Sequence, residues 1–484
     1  MNLAVVVTIA TALVLATAAT DAVAGVGAAD VGTADVATPA STTTAATLAS
    51  VIPGSTTSAE TSASTTVSTA ASAAASISET ISLSDAIERA LRLSPAAVST
   101  ETAISLAKAN QLETRGSWLP SVSATAGYTK SSDERVDSST GRLTSESYTA
   151  GISSSLVLFQ GGRRLWQNRS TSALVSAAEA DHRGQVFDTI LETTTAFYEA
   201  AAASDLELLA RQRLERARQQ LAFAETRIEV GTATRSDVLR AELEVGNAEL
   251  AVLDSESALR TAALQLGRLV GTASEVFPDA ESLPGAAPEL PSVDRLVTRA
   301  ESNSPLVVSR EAELRSAQAS RLTAVSTYLP SVGLTAGYDW FSPDFPPDRR
   351  TWNVRLSASL PIFDRFGREA SVQRAKASLR RAEATARDAL IAARVEVESA
   401  VQDVIAAGQR VTISDRARAL AEEDLRVLEE RYQAEAATIL DLQASQVALT
   451  EAEVGTVRAR QALGTAIARL EAVLGETIEE ASGE

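Results

Sequence analysis

Two short motifs hold the side chains of this chain that are best placed for chemistry. Thr234-x-x-Asp237 and Thr438-x-x-Asp441 each follow a turn of small residues and precede a run of helix-forming residues. A threonine three residues before an aspartate is the capping signature of a helix start, in which each side chain bonds a backbone amide of the other residue. Helix capping explains all four residues, and a functional role for the two carboxylates at these turns is the alternative.

Few other residues could support catalysis. The chain has no cysteine, and its one histidine is His182, so disulfides, thiol chemistry and the usual histidine- or cysteine-built metal site are excluded. The sequence also lacks a glycine-rich phosphate loop and the HExxH, GxSxG and EF-hand patterns. We therefore expect no enzymatic activity and no cofactor. The formal net charge of −18 argues against a nucleic-acid partner, because phosphate binding needs a basic surface.

The sequence repeats itself on the scale of a domain. Residues 94–128 match residues 304–338 without a gap, at an offset of 210, with 16 of 35 positions identical. A second match, at an offset of 204, pairs residues 227–239 with 431–443 and makes Asp237 equivalent to Asp441. A solenoid unit has a period of roughly 20–50 residues, so the repeat predicts two similar domain-sized halves.

Each half contains two segments in which apolar and polar residues alternate. The predicted strands span residues 118–128, 148–158, 328–340 and 352–360. Strands of about ten residues, apolar on one face and polar on the other, are typical of transmembrane β-barrels, which carry aromatic girdles at both membrane interfaces. A small soluble sheet packed on a core is the alternative, although four short strands without a second sheet make a poor soluble domain. The predicted girdle residues are Trp118, Tyr128, Tyr148, Tyr328, Tyr338, Trp340 and Trp352.

Long helices are expected to fill most of the remaining chain, because no proline occurs between Pro120 and Pro278 or after Pro361. The predicted helices span residues 84–116, 163–229, 235–270, 292–327, 366–433 and 439–474. In each half the two short helices together match the long one, so we expect them to stack alongside it. At 1.5 Å per residue a long helix would measure roughly 100 Å, the scale of a periplasm. A soluble coiled coil or helical bundle is the alternative.

The remaining segments complete the predicted domain organisation. Residues 1–24 contain an apolar run typical of a secretory signal peptide, although the first basic residue of the chain is Arg89. Residues 25–80 are rich in alanine, serine and threonine and predict a flexible leader. No other stretch is apolar enough for a membrane helix, so any membrane crossing would use strands. The other predicted segments are a first repeat (81–275), a linker (276–291), a second repeat (292–475) and a C-terminal tail (476–484).

Three features of the sequence together point to a known family. They are the duplicated LPSV..TAGY strands, the strand-to-helix junctions LVLFQGGRR (156–164) and LPIFDRFGR (360–368), and the paired turns before Asp237 and Asp441. These motifs resemble the TolC family of outer-membrane efflux proteins. The junctions are similar to the family's F-D-G-G-R pattern, with Gln160 replacing the aspartate in the first and an extra residue in the second. The resemblance covers about residues 81–475.

The resemblance implies an internally duplicated α+β membrane protein in the outer membrane of a Gram-negative bacterium. Three identical chains would each give four strands to one twelve-stranded β-barrel, surrounded by outer-membrane lipid and continued by a long α-helical barrel across the periplasm. Four strands alone cannot close a barrel, and an exposed strand edge is not tolerated in lipid. The number of predicted strands in one chain therefore agrees with the implied homotrimer.

The resemblance also implies a function. The trimer would be the passive exit duct of a tripartite efflux or type I secretion system, docked onto a periplasmic adaptor (a membrane fusion protein) and an inner-membrane transporter. A drug, a metal ion and a polypeptide are all compatible cargoes. The alternative is a periplasmic coiled-coil adaptor or structural protein without a pore, although adaptors usually carry β-rich domains around a single helical hairpin.

Two sets of turn residues have expected roles in such a duct. Small side chains at the turns would let another helical tip approach closely, or they are small because a tight turn requires it. Threefold symmetry would arrange Asp441 as a ring of three carboxylates that attracts cations and closes a periplasmic gate. Tyr432 stands where family members often carry an aromatic tip residue, and Asp237 is the second gate candidate. The predicted docking residues are Gly231, Thr232, Ala233, Thr234, Glu435, Ala436, Ala437 and Thr438.

Overall fold

The computed structural model describes residues 79–136, 143–229, 231, 234–279, 283–434 and 436–478. The predicted signal peptide, most of the predicted leader and residues 479–484 of the predicted tail lie outside these ranges. So do three of the predicted docking residues, Thr232, Ala233 and Glu435.

The two halves of the described chain have the same order of elements. The first half contains β1 (Glu79–Ile81), α1 (Leu83–Leu93), α2 (Pro95–Gly116), β2 (Ser121–Val136), β3 (Leu143–Gln160), α3 (Arg163–Glu229) and α4 (Arg235–Leu269). The second contains β4 (Val276–Pro278), α5 (Val293–Asn303), α6 (Pro305–Val325), a 3-10 turn (Ser326–Tyr328), β5 (Ser331–Ser342), β6 (Arg349–Ser359), α7 (Gly367–Gln433) and α8 (Ile439–Leu474). The long helices α3 and α7 have 67 residues each.

Two helices predicted as continuous are each broken in two. The predicted helix over 84–116 stops before Ser94 and restarts at Pro95, and the one over 292–327 stops before Ser304 and restarts at Pro305. Ser94 has ψ 119° and Ser304 has ψ 125°, both outside the helical region. A residue that precedes proline is disfavoured in the α conformation, whereas proline itself is well suited to the first turn of a helix. Each short helix therefore ends two residues before its proline, and the serine between them is not helical.

The end of the predicted leader and the start of the predicted linker form a small sheet instead of irregular chain. β1 and β4 pair in parallel, with Glu79 opposite Val276 and Ile81 opposite Pro278. Ile81 and Val276 are buried and belong to a cluster that includes Phe197 of α3. This packing fixes the start of the first half against its own long helix.

A four-stranded antiparallel sheet follows the order β2-β3-β5-β6. β2 and β3 are longer than the predicted strands, because pairing continues past Tyr128 and Tyr148 through polar residues that do not alternate with apolar ones. An ion pair of 2.9 Å between Lys130 and Glu146 joins the two strands in this extension. Within the described chain, the outer edges of β2 and β6 have no strand partner.

The predicted girdle residues occur at two levels along the sheet. Five of them lie on one face, where Tyr128 stacks on Tyr148 with ring centroids 5.1 Å apart and Tyr338 pairs in register with Trp352. Two lie outside the strands, Trp118 in the turn before β2 and Tyr328 in the 3-10 turn. Their rings are covered by arginines at the start of the long helices: Arg164 lies 5.5 Å from the centroid of Trp118 and Arg368 4.9 Å from that of Tyr328.

The helices pack as the length comparison predicts. α3 packs against both α2 and α4, and α7 packs against both α6 and α8. α3 also packs against α6 and α8, which joins the two halves. The largest buried cluster, around Leu296, Val401 and Leu463, lies between α5, α7 and α8. Within the described ranges, none of the helices has the length and apolar character that a membrane-crossing helix needs.

Candidate functional site at the hairpin turns

Each helical hairpin turns through a complete capping box. At the start of α4, the amide of Thr234 donates to Asp237 Oδ2 at 2.9 Å, and the amide of Asp237 donates to Thr234 Oγ1 at 3.3 Å. The start of α8 repeats this geometry at 3.0 Å and 3.3 Å with Thr438 and Asp441. The capping interpretation of the two motifs is therefore confirmed, and it accounts for the position of both helix starts.

Capping also fixes the charge of the two carboxylates. Hydrogen bonds from the backbone and side chain of Thr234 lower the pKa of Asp237 from its usual range. The side chain and backbone of Thr438 lower the pKa of Asp441, and the positive charge of Arg431 adds to the effect. Hydrogen bonds to the ionised form favour it. Both aspartates are therefore anionic at neutral pH.

The capping bonds leave part of each carboxylate available. The bonds that Asp441 accepts from Thr438, including one of 2.7 Å from the hydroxyl, all reach Oδ2, and those of Asp237 reach its Oδ2 as well. In the described ranges no other group bonds either Oδ1. One aspartate can thus cap its helix and still present an oxygen to a cation. No three acidic or histidine side chains of the described ranges converge as metal ligands.

The two turns differ in how they are built. In the first, Gly231 has a φ of 77°, which favours glycine, and its amide donates to the carbonyl of Ile228 at 3.1 Å. In the second, the amide of Ala436 donates to the carbonyl of Arg431 at 2.7 Å, and the guanidinium of Arg431 donates back to the carbonyl of Ala436 at 3.4 Å. Arg431 thus places a basic group at the second turn.

Most of the described docking residues are accessible. Gly231, Thr234, Ala436 and Thr438 are exposed, whereas Ala437 is half-buried. Ala437 lines a crevice of about 440 Å³ that also reaches Asp441, Arg431 and Asp424. The crevice lies between α7 and α8 beside the carboxylate that the sequence predicts as a gate.

Tyr432 is buried within its own chain. Its side chain is 7% exposed and packs with Leu425, Ile439, Leu442 and Leu449 of the second hairpin. From the first hairpin, the ring of Phe223 lies 6.0 Å away, and Arg227 places its guanidinium carbon 5.1 Å from the ring centroid of Tyr432. The same guanidinium donates to the backbone carbonyl of Tyr432 at 3.4 Å. Tyr432 therefore joins the ends of the two hairpins.

Phe223 and Arg227 lie close to the first turn, and neither is among the residues predicted from the sequence. The sequence does contain a signal for Arg227, because the repeat offset of 204 residues makes Arg227 equivalent to Arg431. Both arginines precede a turn by the same distance, yet Arg227 reaches across to the other hairpin and Arg431 folds over its own turn. The repeat identified the pair but not this division of roles.

A family model for outer membrane efflux proteins matches residues 86–272 and 296–476 of this chain, well over half of its length. The chain belongs to the outer membrane efflux protein family. Membership confirms the resemblance to TolC-type proteins, and it places this family member in the outer membrane. The family is one of channel proteins rather than enzymes, which favours the exit-duct interpretation over the adaptor alternative.

Individual relatives share less than a third of their aligned residues with this chain. CyaE of Bordetella pertussis is 28% identical over 305 residues, which cover 61% of this efflux family member and 63% of CyaE. The cobalt-zinc-cadmium resistance protein CzcC of Cupriavidus metallidurans is 29% identical over 195 residues, which cover 40% of this chain and 45% of CzcC. The matched part therefore spans less than two thirds of each relative's own length.

The fold is shared with solved outer-membrane proteins. The crystal structure of the outer membrane protein VceC from Vibrio cholerae aligns with a TM-score of 0.71 at 19% identity. The alignment covers 82% of this efflux family member and 97% of VceC. The long hairpins and the four-stranded sheet thus form an architecture that this solved outer-membrane protein shares.

Proposed function

We propose that this outer membrane efflux protein is the passive exit duct of a tripartite efflux or type I secretion system. Three copies would join their sheets into one twelve-stranded barrel in outer-membrane lipid and their helices into a tunnel across the periplasm. The observation that carries this proposal is the open sheet, because β2 and β6 each leave an outer edge without a strand partner in the described chain. Backbone groups in lipid must be bonded, so such a sheet is completed by further copies.

The side chains on the two faces of the sheet support its proposed place as a barrel wall between lipid and water. One face carries apolar side chains such as Ile152, Leu334 and Val354, and the paired rows show that the opposite face carries serine, threonine and glycine. Alternation of this kind is what a strand needs when one side meets lipid and the other a water-filled lumen.

Rows of exposed apolar side chains on the helices support assembly of several copies. On α4 they are spaced by four, seven and three residues, as in the seam of a coiled coil. α7 carries a similar row. Large apolar groups left exposed along one face of a helix mark a contact surface. These rows consist of Leu239, Leu243, Leu250 and Leu253 on α4 and Ile391, Val395, Ile413 and Leu420 on α7.

The hairpin turns are the proposed meeting point with a periplasmic adaptor and, through it, an inner-membrane transporter. The exposed small residues Gly231 and Ala436 support close approach of another helical tip. Asp441, with Asp237 as the second candidate, is the proposed carboxylate ring of the gate. The oxygen that capping leaves open on each aspartate supports this role.

Fractionation and conductance together test the proposed duct. We expect the protein in the outer-membrane fraction, extracted by detergent as a homotrimer that conducts ions in planar bilayers. Cross-linking of the extracted protein gives the number of copies. A stable monomer released from the periplasm without detergent, and silent in bilayers, would contradict the duct and support an adaptor.

A further inference from the structure

The polar face of the four-stranded sheet is built mainly from hydroxyl groups and glycine. The hydroxyls of Ser121 and Ser155 lie 2.7 Å apart, and those of Ser123 and Ser153 lie 2.8 Å apart. Hydroxyl pairs of this kind make a surface that water wets but that carries no net charge. Any ionised side chain on the same face therefore determines the local electrostatic potential.

Three ionised side chains lie within the paired rows of this face. Arg349 of β6 is opposite Phe341, in the last row before the β5–β6 turn. Asp339 of β5 is opposite Thr351 of β6, and Arg355 of β6 is opposite Thr335 of β5. Their rows are four residues apart along the strands, about 13 Å at 3.3 Å per residue, which is too far for an ion pair. Arg355 lies in the half of the sheet that is nearer to the helices, and Asp339 in the half that is nearer to the β5–β6 turn.

Asp339 and Arg355 are held in different ways. The carboxylate of Asp339 lies flat across β3, in the space that the missing side chain of Gly151 leaves. A Cβ atom at Gly151 would lie only 2.5 Å from Asp339 Oδ1 and 3.2 Å from Thr125 Oγ1. Arg355 is exposed. Among the residues that the structure describes, no carboxylate lies within ion-pair distance of its guanidinium, and its neighbours in the sheet are neutral. Arg355 is therefore a charge without compensation on the polar face.

We propose that Arg355 biases the strand-lined part of the pore toward anions. The proposal rests on the proposed function, because three copies of the chain are needed to turn one guanidinium into a ring. With the apolar face toward lipid, the polar face and Arg355 line the lumen. A ring of like charges in a water-filled passage attracts ions of opposite sign and repels those of its own sign. Asp339, laid against the wall over Gly151, has the smaller effect.

The reversal potential of the purified full-length channel in a planar bilayer, under a potassium chloride gradient, tests this role. Arg355→Gln should lower the ratio of chloride to potassium permeability by about twofold or more at 0.1 M salt, where screening extends over about 10 Å. Arg355→Lys should keep the ratio of the wild type. In 1 M salt the screening length falls to about 3 Å, so the difference between the wild type and Arg355→Gln should shrink.

Arg350→Gln is the matched control, because Arg350 lies on the same strand but opposite Trp340 on the apolar face. It removes the same charge and should leave the permeability ratio unchanged. Ser357→Arg adds a guanidinium to the polar face and should raise the ratio, which keeps the proposal testable if Arg355→Gln assembles poorly.

The outcomes separate this proposal from the duct itself. If the wild type conducts and Arg355→Gln and Ser357→Arg both keep its permeability ratio, Arg355 has no role in selectivity while the duct stands. An equal change in Arg355→Gln and Arg350→Gln would assign the effect to net charge and overturn the proposal. A wild type that forms no conducting pores would overturn the proposed function and the role of Arg355 with it.

Discussion

The guanidinium carbon of Arg227 lies 5.1 Å from the ring centroid of Tyr432, although the two residues belong to different halves of the repeat. Arg227 is at the end of α3 and Tyr432 is at the end of α7. A cation over a tyrosine face stabilises a contact by about 0.5–1 kcal/mol at exposed sites and about 2 kcal/mol when desolvated. This contact ties the two hairpins of one chain together beside the turns.

Replacing Arg227 should weaken this contact between the two hairpins. In Arg227→Gln the cation is lost while a polar side chain of similar reach remains, so we expect a higher resting conductance in planar bilayers if the turns form the gate. Tyr432→Phe keeps an aromatic face and should behave as the wild type. Arg218→Gln is the control on the same helix, because Arg218 pairs with Glu249 of its own hairpin at 3.1 Å. Equal effects of the two arginine substitutions would argue against a specific role for the Arg227–Tyr432 contact.

Capping and gating by Asp441 can be separated with two variants. Asp441→Asn removes the charge, whereas Thr438→Ala removes a capping partner and keeps the carboxylate. We expect Asp441→Asn to weaken block by multivalent cations from the periplasmic side and to reduce cation selectivity. Thr438→Ala should lower stability by about 0.5–2 kcal/mol and leave block intact. Unchanged block and selectivity in Asp441→Asn, with only a small loss of thermal stability, would assign Asp441 to capping alone.

The lowered pKa values of Asp237 and Asp441 predict a direction for the effect of pH. A carboxylate whose pKa is lower in the folded chain than in the unfolded chain, where it is about 3.9, stabilises the fold fully above that unfolded value. The contribution is lost as pH falls through the lower folded pKa. Cation block should therefore be constant from neutral pH to about pH 5 and should not decline until the solution is more acidic. A decline centred near pH 6.5, the ordinary pKa of histidine, would contradict a carboxylate gate.

Docking at the second turn should be sensitive to side-chain volume. Ala436 is exposed, so Ala436→Trp can be accommodated by the isolated chain but would obstruct an approaching helical tip. We expect export to be abolished while trimer yield and bilayer conductance stay at the level of the wild type. Ala436→Ser, which is nearly as small as alanine, should export normally. Export by Ala436→Trp at the level of the wild type would refute the docking role of this turn.

Local sequence signals predicted most of the helical architecture. The proline-free windows and the two Thr-x-x-Asp motifs placed helices over 163–229 and 439–474, and the structure has α3 and α8 over the same residues. The breaks at Ser94 and Ser304 were missed, although each precedes a proline, because the apolar pattern continues across the break. Local rules of chain conformation therefore locate helix ends more reliably than continuity of pattern does.

Longer-range features could not be predicted in the same way. The contact of Arg227 with Tyr432 depends on how two hairpins cross, which no short stretch of sequence specifies. The pairing of β1 with β4 joins segments almost two hundred residues apart, and each strand has only three residues, too few for a recognisable alternation. The extensions of β2 and β3 were missed because, apart from Val136 and Leu143, their residues are polar and show no alternation, so only the backbone pairing reveals them.

The open edges of β2 and β6 also bear on how the protein is made. A newly synthesised chain offers two rows of backbone donors and acceptors to any strand it meets, and mispaired edges are the usual route to aggregation. In the proposed trimer, completion of the sheet by other copies would be bimolecular at its first step, so its rate would depend on how many copies share the same stretch of membrane. Biogenesis of such a trimer would be a competition between correct edge pairing and aggregation, and the concentration of nascent chains would decide the yield.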